Sequence, residues 1–342
     1  MQQSVTQSDL SVFAPFHSLI PSKIGELTMS NSPVHFQKTL ARPVDISGIG
    51  VHSGRYIEST IHPAPDHHGI VFHRTDVSDS NNIIPATVDY AVPHQLCTRI
   101  QNHDGVGVNT IEHFMAAFHG LGIDNVLIEV DGPEMPILDG SSTLIIDLLT
   151  KAGLSEQKEA RQVLVIVDDV EIDLGNGSRA RLSPHNHLEL DVSIDFEDQL
   201  IGQQSLYYSH DKNAFLTRLA DARTFCMLKD VETMRSSGLA RGGSLDNAVV
   251  VHEGSVLNND GLRGNDEFVR HKALDCLGDL YLLGMAVRAK LTTTRPGHML
   301  STKLLQAVMA RPDCFVIENK PDTGLPQAGT WTYPETAVAA HS

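Results

Sequence analysis

One order of secondary-structure signals occurs twice along this chain, and that repetition constrains the fold more than any single motif. In the first half, strand-like segments Tyr56–His62 and Gly69–His73 precede a helix near 110–120 that ends at Gly120 and Gly122. A strand, Asn125–Val130, follows it, and after a Gly/Pro-rich loop a second helix runs from about Ser142 to Lys151. In the second half, strand-like Gln162–Leu174 and His187–Ile194 precede a helix from about Asp266 to Gly284. A strand near Val287–Thr293, a Pro296-Gly297 turn and a helix near Ser301–Ala310 complete that set. Runs of strands followed by helices define the α+β class. The expected fold is α+β with two similar domains of β-sheet plus helices, 36–160 and 161–318. The residues themselves do not repeat, so the duplication is one of architecture.

Each half carries an insertion, at about 76–98 and about 226–256. The second holds a short helix-like piece, Gly238–Gly243, and an apolar strand, Ala248–Val251. Insertions of this kind commonly carry the specificity elements of a site. Residues 1–35, rich in Ser, Gln and Pro, read as a flexible extension, and 319–342 as an irregular tail. The small apolar end of that tail is a candidate handle for a regulatory protease.

A formal net charge of −16 argues against a nucleic-acid partner, which needs a basic stripe. Cys97, Cys226, Cys276 and Cys314 are scattered with no CxxC spacing, so neither a disulfide scaffold nor a cysteine zinc site is expected. No apolar run reaches the length of an integral membrane segment, and Met1–Thr6 lacks the basic start of a signal peptide. A cytoplasmic monomer is the expectation.

Two helical segments from opposite halves carry metal-binding chemistry. Thr110-Ile111-Glu112-His113 opens the first, with Ile111, Phe114, Met115 and Phe118 marking a buried face and Asn109 or Thr110 as candidate cap. In the second, behind Asp266 as candidate cap, His271 and Asp275 stand at i and i+4 on one face. His113, His271 and Asp275 together are three ligands with an open fourth position, and Glu112 is a carboxylate free to act as base. Taken singly, each half has a plainer reading. Glu112 complements a helix dipole, and the line His271, Asp275, Asp279 is also what a solvated polar stripe looks like. HExxH, GxxxxGK[ST] and GxSxG are absent. Gly48–Gly54 has the glycines of a phosphate loop, but a strand, not a helix, follows it. Asp131–Gly140 is dense in turn formers, and its carboxylates read as pins of a sharp loop.

Thr110–His113 with Gly120-Leu121-Gly122-Ile123-Asp124-Asn125 resembles the bacterial UDP-3-O-acyl-N-acetylglucosamine deacetylase family. So do Ala222-Arg223-Thr224-Phe225, Gly242-Gly243-Ser244 and Asp266–Lys272, and the likeness runs from about Phe36 to Phe315. The resemblance implies removal of an N-acetyl group from an acylated UDP-N-acetylglucosamine, the committed step of lipid A synthesis, at a site between the two domains. It implies zinc on His113, His271 and Asp275, a donor set that also suits ferrous iron. It further implies Glu112 as general base, with His298 as a cationic acid oriented by Asp279. Thr224 is implied as an oxyanion donor and Lys272 as a cation beside the metal. Phe225 would pack on the sugar or acyl chain, and His52 lies in a family motif near the site. The 226–256 insertion resembles the family's acyl passage, with Met227, Leu228, Val231, Leu239, Leu245 and Val250 as lining. Arg295 and Phe196 are candidates for diphosphate and uracil. Cys226 stands where the family often has Gly, at the mouth of the passage. A zinc amidohydrolase for another N-acyl sugar, and a zinc-stabilised binding module without catalysis, are the alternatives.

Overall fold

Alternation of buried and exposed residues builds the two sheets that organise the molecule. In the strand Tyr56–Pro63 the inward set is Ile57, Ser59 and Ile61, and in Glu189–Asp195 it includes Leu190, Val192 and Ile194. These are features of a computed structural model, which describes residues 35–94 and 96–319. The flexible extension and the irregular tail with its protease handle lie outside the described residues, apart from residues 35 and 319 themselves.

Two five-stranded sheets share one topology. The first runs Val44–Ile49, Tyr56–Pro63, Val126–Val130, Ile70–Arg74, Ile83–Pro85. The second runs Val170–Asp173, Arg179–Ser183, Lys290–Thr294, Glu189–Asp195, Gln203–Ser209. In both, successive pairings are antiparallel, antiparallel, parallel and antiparallel. The central strand of each sheet follows a long excursion of the chain, so the duplicated α+β architecture is real although the residues have diverged.

Six α-helices are described: α1 (Glu112–Leu121), α2 (Thr143–Ala152), α3 (Lys212–Ala214), α4 (Leu228–Ser236), α5 (Glu267–Leu280) and α6 (His298–Met309). All ten residues of α1 are buried, and so is every residue of α5 except Lys272. These two helices form the centre of the molecule. They approach so closely that a Cβ added at Gly278 of α5 would stand 2.2 Å from the carbonyl oxygen of Glu112. None of the described helices is long and apolar enough to cross a membrane.

Several elements differ from the sequence reading, each for a physical reason. Gln162–Leu174 is two strands, Gln162–Ile166 and Val170–Asp173, in different sheets; between them the Val167 and Asp168 N–H groups donate to the Cys314 carbonyl. Val287–Thr293 likewise splits around Ala289, one part pairing with Gln162–Ile166 and the other entering the second large sheet. The helix expected from Asp266 stops at Leu280, turns through Tyr281–Leu283 and closes on Gly284, whose φ of 78° suits glycine. The last helix starts earlier than expected, at His298. Gly238–Gly243 is a series of turns, and the helix of the second insertion is α4. Neither expected cap acts as one. Thr110 gives its hydroxyl to Glu134, and Asp266 pairs with Arg270 of the next turn.

Candidate active site

The first turn of α1 and the middle of α5 meet across the Gly278 crossing, and this brings together residues far apart in the chain. His113, His271 and Asp275 are all buried, with one ligand atom from each lying within 4.8 Å of the others. Oδ1 of Asp275 is 3.3 Å from His271 Nε2 and 3.7 Å from His113 Nε2. Ligands at zinc bond lengths in a tetrahedron sit about 3.3–3.5 Å apart, so the cluster has the span of a metal site. The His271 Nδ1–H faces the Ala222 carbonyl at 3.1 Å, which turns the Nε2 lone pair toward the cluster. Burial drives the His271 pKa down to about 3, so the imidazole is neutral and available as a donor. Asp275 Oδ1 is buried and has no hydrogen-bond partner among the described residues. An orphaned carboxylate oxygen aimed at two imidazoles fits a divalent metal. The plainer reading of His271, Asp275 and Asp279 as a solvated stripe does not survive this burial.

Lys272 donates to the other oxygen, Asp275 Oδ2, at 2.8 Å, and stands 5.6 Å over the Phe225 ring. Its burial works against the ammonium, but Asp275 outweighs that and raises its pKa. Burial opposes ionisation of Asp275 too, and His271 with Lys272 overcomes it, holding that pKa well below the usual range.

On the other side of the cluster lies a proton-handling group. His298, first residue of α6, has Nε2 3.7 Å from Glu112 Oε1 and Nδ1 3.2 Å from Asp279 Oδ2. Burial alone would lower its pKa, but the Asp279 and Glu112 carboxylates raise it to about 9. Burial raises the Glu112 pKa, only partly offset by His298 and His113. The site therefore holds a carboxylate prepared to take a proton beside an imidazolium prepared to give one.

Thr98 joins these two groups and was not singled out in the sequence. Its backbone N–H donates to Glu112 Oε2 at 3.0 Å, its hydroxyl hydrogen-bonds Asp279 Oδ1, and Oγ1 lies 2.9 Å from His298 Nδ1. Its position in an irregular stretch after Pro93 gives no spacing signal. Thr110 enters the sequence reading as a motif residue and a candidate cap. It sits at φ +57°, uncommon for a β-branched residue, held there by its bond to Glu134. The Glu134 carboxylate also accepts the backbone N–H groups of His52 and Ser53, both at 2.8 Å. The loop Gly48–Gly54 thus does cradle an anion, but that anion is the protein's own Glu134.

A cavity of about 400 Å³ opens from Glu112 and His113. Thr224, Phe225, Cys226, Leu228, Val231, Leu245 and Val250 line it as expected, and His52 borders it. Leu228 and Leu245 are large apolar side chains left exposed beside this cavity. Leu239 is outside the lining, and Met227 faces a neighbouring cleft instead. That second cleft, about 410 Å³, collects Phe196, Arg295, Lys272 and Lys229. Phe225 packs edge-on against Phe196 with ring centres 5.4 Å apart, and Arg295 is already paired with Asp195 at 2.7 Å. His52 takes the Ala240 N–H on Nδ1 at 3.4 Å, and burial keeps its pKa low, so it borders the cavity as a neutral ring.

Comparison with known proteins bears on what this arrangement does. A family model described as UDP-3-O-acyl N-acetylglycosamine deacetylase matches residues 37–310. The UDP-3-O-acyl-N-acetylglucosamine deacetylase of Myxococcus xanthus is 45% identical over 82% of the chain and 88% of its own length. The protein of the same name in Phenylobacterium zucineum is 46% identical, covering 82% and 95%. That of Pasteurella multocida is 42% identical, covering 82% and 92%.

Proposed function

The chain belongs to the UDP-3-O-acyl N-acetylglycosamine deacetylase family and removes the N-acetyl group of a UDP-3-O-acyl-N-acetylglucosamine in lipid A biosynthesis; we propose that it does so with Glu112 as general base and His298 as general acid. The observation that carries this division of labour is geometric: a buried carboxylate and a buried imidazolium, 3.7 Å apart, flank one metal-shaped cluster at the head of an apolar cavity.

His113, His271 and Asp275 would hold the ion, which we assign as zinc; ferrous iron suits the same donors. When bound there, zinc supplies a Lewis acid that polarises the acetamide carbonyl and acidifies water. Glu112 takes a proton from the attacking water, and its raised pKa suits that task. His298 enters the reaction charged, faces the oxyanion as it forms, and gives its Nε2 proton to the departing amine. Asp279 keeps the other ring nitrogen protonated and in place. Thr224 would add a donor for the oxyanion, and Lys272 a positive charge beside it.

The acyl chain fits the apolar cavity, where Leu228 and Leu245 meet it along with Phe225. The UDP end fits the polar cleft on the far side of Phe225, with Phe196 and Arg295 as contacts once Arg295 exchanges Asp195 for phosphate. His52 borders the acyl cavity as a neutral hydrogen-bonding group. The site takes α1 from one half and α5 and α6 from the other, which supports reading 36–160 and 161–318 as two domains with the site between them. A nucleotide-sugar substrate supports a cytoplasmic place of action.

The test is deacetylation of UDP-3-O-acyl-N-acetylglucosamine before chelation, after it, and after adding zinc back. Activity should vanish and return while the fold persists throughout. Activity that survives complete stripping would remove the metal from the mechanism. Unfolding on stripping would favour a structural metal instead.

A further inference from the structure

A second group of metal-binding side chains lies where the sequence Pro184-His185-Asn186-His187-Leu188-Glu189 enters the second large sheet. His185 Nε2 is 3.4 Å from Glu189 Oε2, and His187 Nε2 is 2.9 Å from Glu189 Oε1. The three ligand atoms fall within 4.8 Å of one another, and the imidazole centres are 4.6 Å apart. We propose that His185, His187 and Glu189 form a second binding site for a divalent transition metal, on the face of the sheet opposite Leu190, Val192 and Ile194.

The donor set selects the class of ion. Two imidazole nitrogens and one carboxylate favour zinc, copper or nickel over calcium or magnesium, which prefer oxygen cages. Both ring Nε2 atoms point at the same carboxylate. The His185 Nδ1–H lies 3.1 Å from the His187 carbonyl, an outer hydrogen bond that directs Nε2 at the ion. The Glu189 carboxylate is held in turn by the Tyr207 hydroxyl, and its backbone N–H is fixed to the Ala289 carbonyl. The side chains of His185 and His187 are 30% and 49% exposed while Glu189 is 8% exposed, so an ion enters from solvent onto an anchored carboxylate. His185 and His187 approach different oxygens of Glu189, at 3.4 and 2.9 Å, so each imidazole has a carboxylate oxygen beside it within the 4.8 Å span of the cluster. The fourth position faces water.

Lys290 is the cation that competes for this face, since it sits opposite Glu189 in register. Its ammonium instead reaches Asp191 at 3.4 Å and lies over the Tyr207 ring, which leaves Glu189 to the two histidines. The rival reading is a plain side-chain cluster of two imidazoles around one carboxylate that takes up no ion.

Equilibrium dialysis of the full chain against zinc, followed by metal analysis, separates the two. The expected result is two zinc ions per chain, falling to one in His185→Ala/His187→Ala with deacetylase activity unchanged. Asp275→Ala should keep the second ion while losing the first. Glu189→Gln, which preserves shape and the Tyr207 contact, should weaken the second equivalent by more than the roughly tenfold that an outer-shell partner costs. One ion per wild-type chain, or two retained in the double variant, would falsify the site.

Discussion

At the scale of single residues, the site depends on side chains that hold other side chains. Thr98 is the clearest case, because it contacts Glu112 through its backbone N–H and Asp279 and His298 through its hydroxyl. Thr98→Val removes the second function and keeps the first. The expected outcome is a kcat lower by roughly tenfold, part of the ~10²–10⁴-fold that an acid–base group supplies, with KM unchanged. Thr98→Ser should restore most of it, since the hydroxyl returns. Steady-state kinetics of both variants decides the matter: a Ser variant as impaired as the Val variant would show that the hydroxyl alone does not carry the role. The same comparison explains which site residues were legible in the sequence. His113, His271, Asp275 and Glu112 announce themselves because helical spacing converts directly into shared direction. His298 and Thr224 came only through resemblance, as did the role of Asp279, which already stood in line with His271 and Asp275. Thr98 works through a backbone N–H and a short hydroxyl in an irregular segment, and such a role leaves no periodic trace.

At the scale of elements, the α1–α5 crossing positions both halves of the metal cluster, and Gly278 permits it. Its missing side chain lets the Glu112 carbonyl and the Ala116 N–H pack directly on α5. In Gly278→Ala the added Cβ meets backbone atoms, which cannot rotate away. Overpacking of this kind costs about 1–3 kcal/mol, and here the backbone it displaces carries Glu112 and His113. Melting temperature, zinc affinity and kcat should therefore fall together. A variant with lowered melting temperature but wild-type zinc affinity would mean that the crossing and the metal cluster are uncoupled. Elements with a buried face were readable: α1 shows its stripe in Ile111, Phe114, Met115 and Phe118, all buried. α4 was not, because none of its residues is buried: its apolar side chains Leu228, Val231 and Met234 line the cavity and not a core. The two expected caps failed for a related reason. Thr110 and Asp266 have suitable side chains, but Glu134, distant in the chain, and Arg270, four residues on, compete for them.

At the scale of the whole molecule, a polar network joins the two halves behind the active site. Asp124 and Tyr281 hold Arg161, the His119 ring stacks on Tyr281 at 4.4 Å, and His210 lies 5.1 Å beyond it, bonded to Tyr208. His119 is buried between the halves, with its Nδ1–H facing the Leu277 carbonyl at 2.9 Å. Burial, reinforced by His210, pushes the His119 pKa well below 6.5, and burial with Arg161 lowers that of His210 to about 4. In the unfolded chain both rings take up a proton near pH 6.5. The unfolded state therefore binds more protons than the native state between about pH 6.5 and pH 4. Stability from these groups is fully present above pH 6.5 and is lost as pH falls through that window. Acid also releases metal from imidazole ligands, so the measurement belongs on chelated protein, with urea unfolding followed from pH 7.5 to pH 4.5. Wild-type stability should decline steeply across that range. His119→Phe keeps a ring against Tyr281 but has nothing to titrate, so its decline should be shallower by about one proton's worth of slope. Parallel curves would show that His119 takes up its proton in the folded state as readily as in the unfolded one, and that the junction between the halves tolerates a charge.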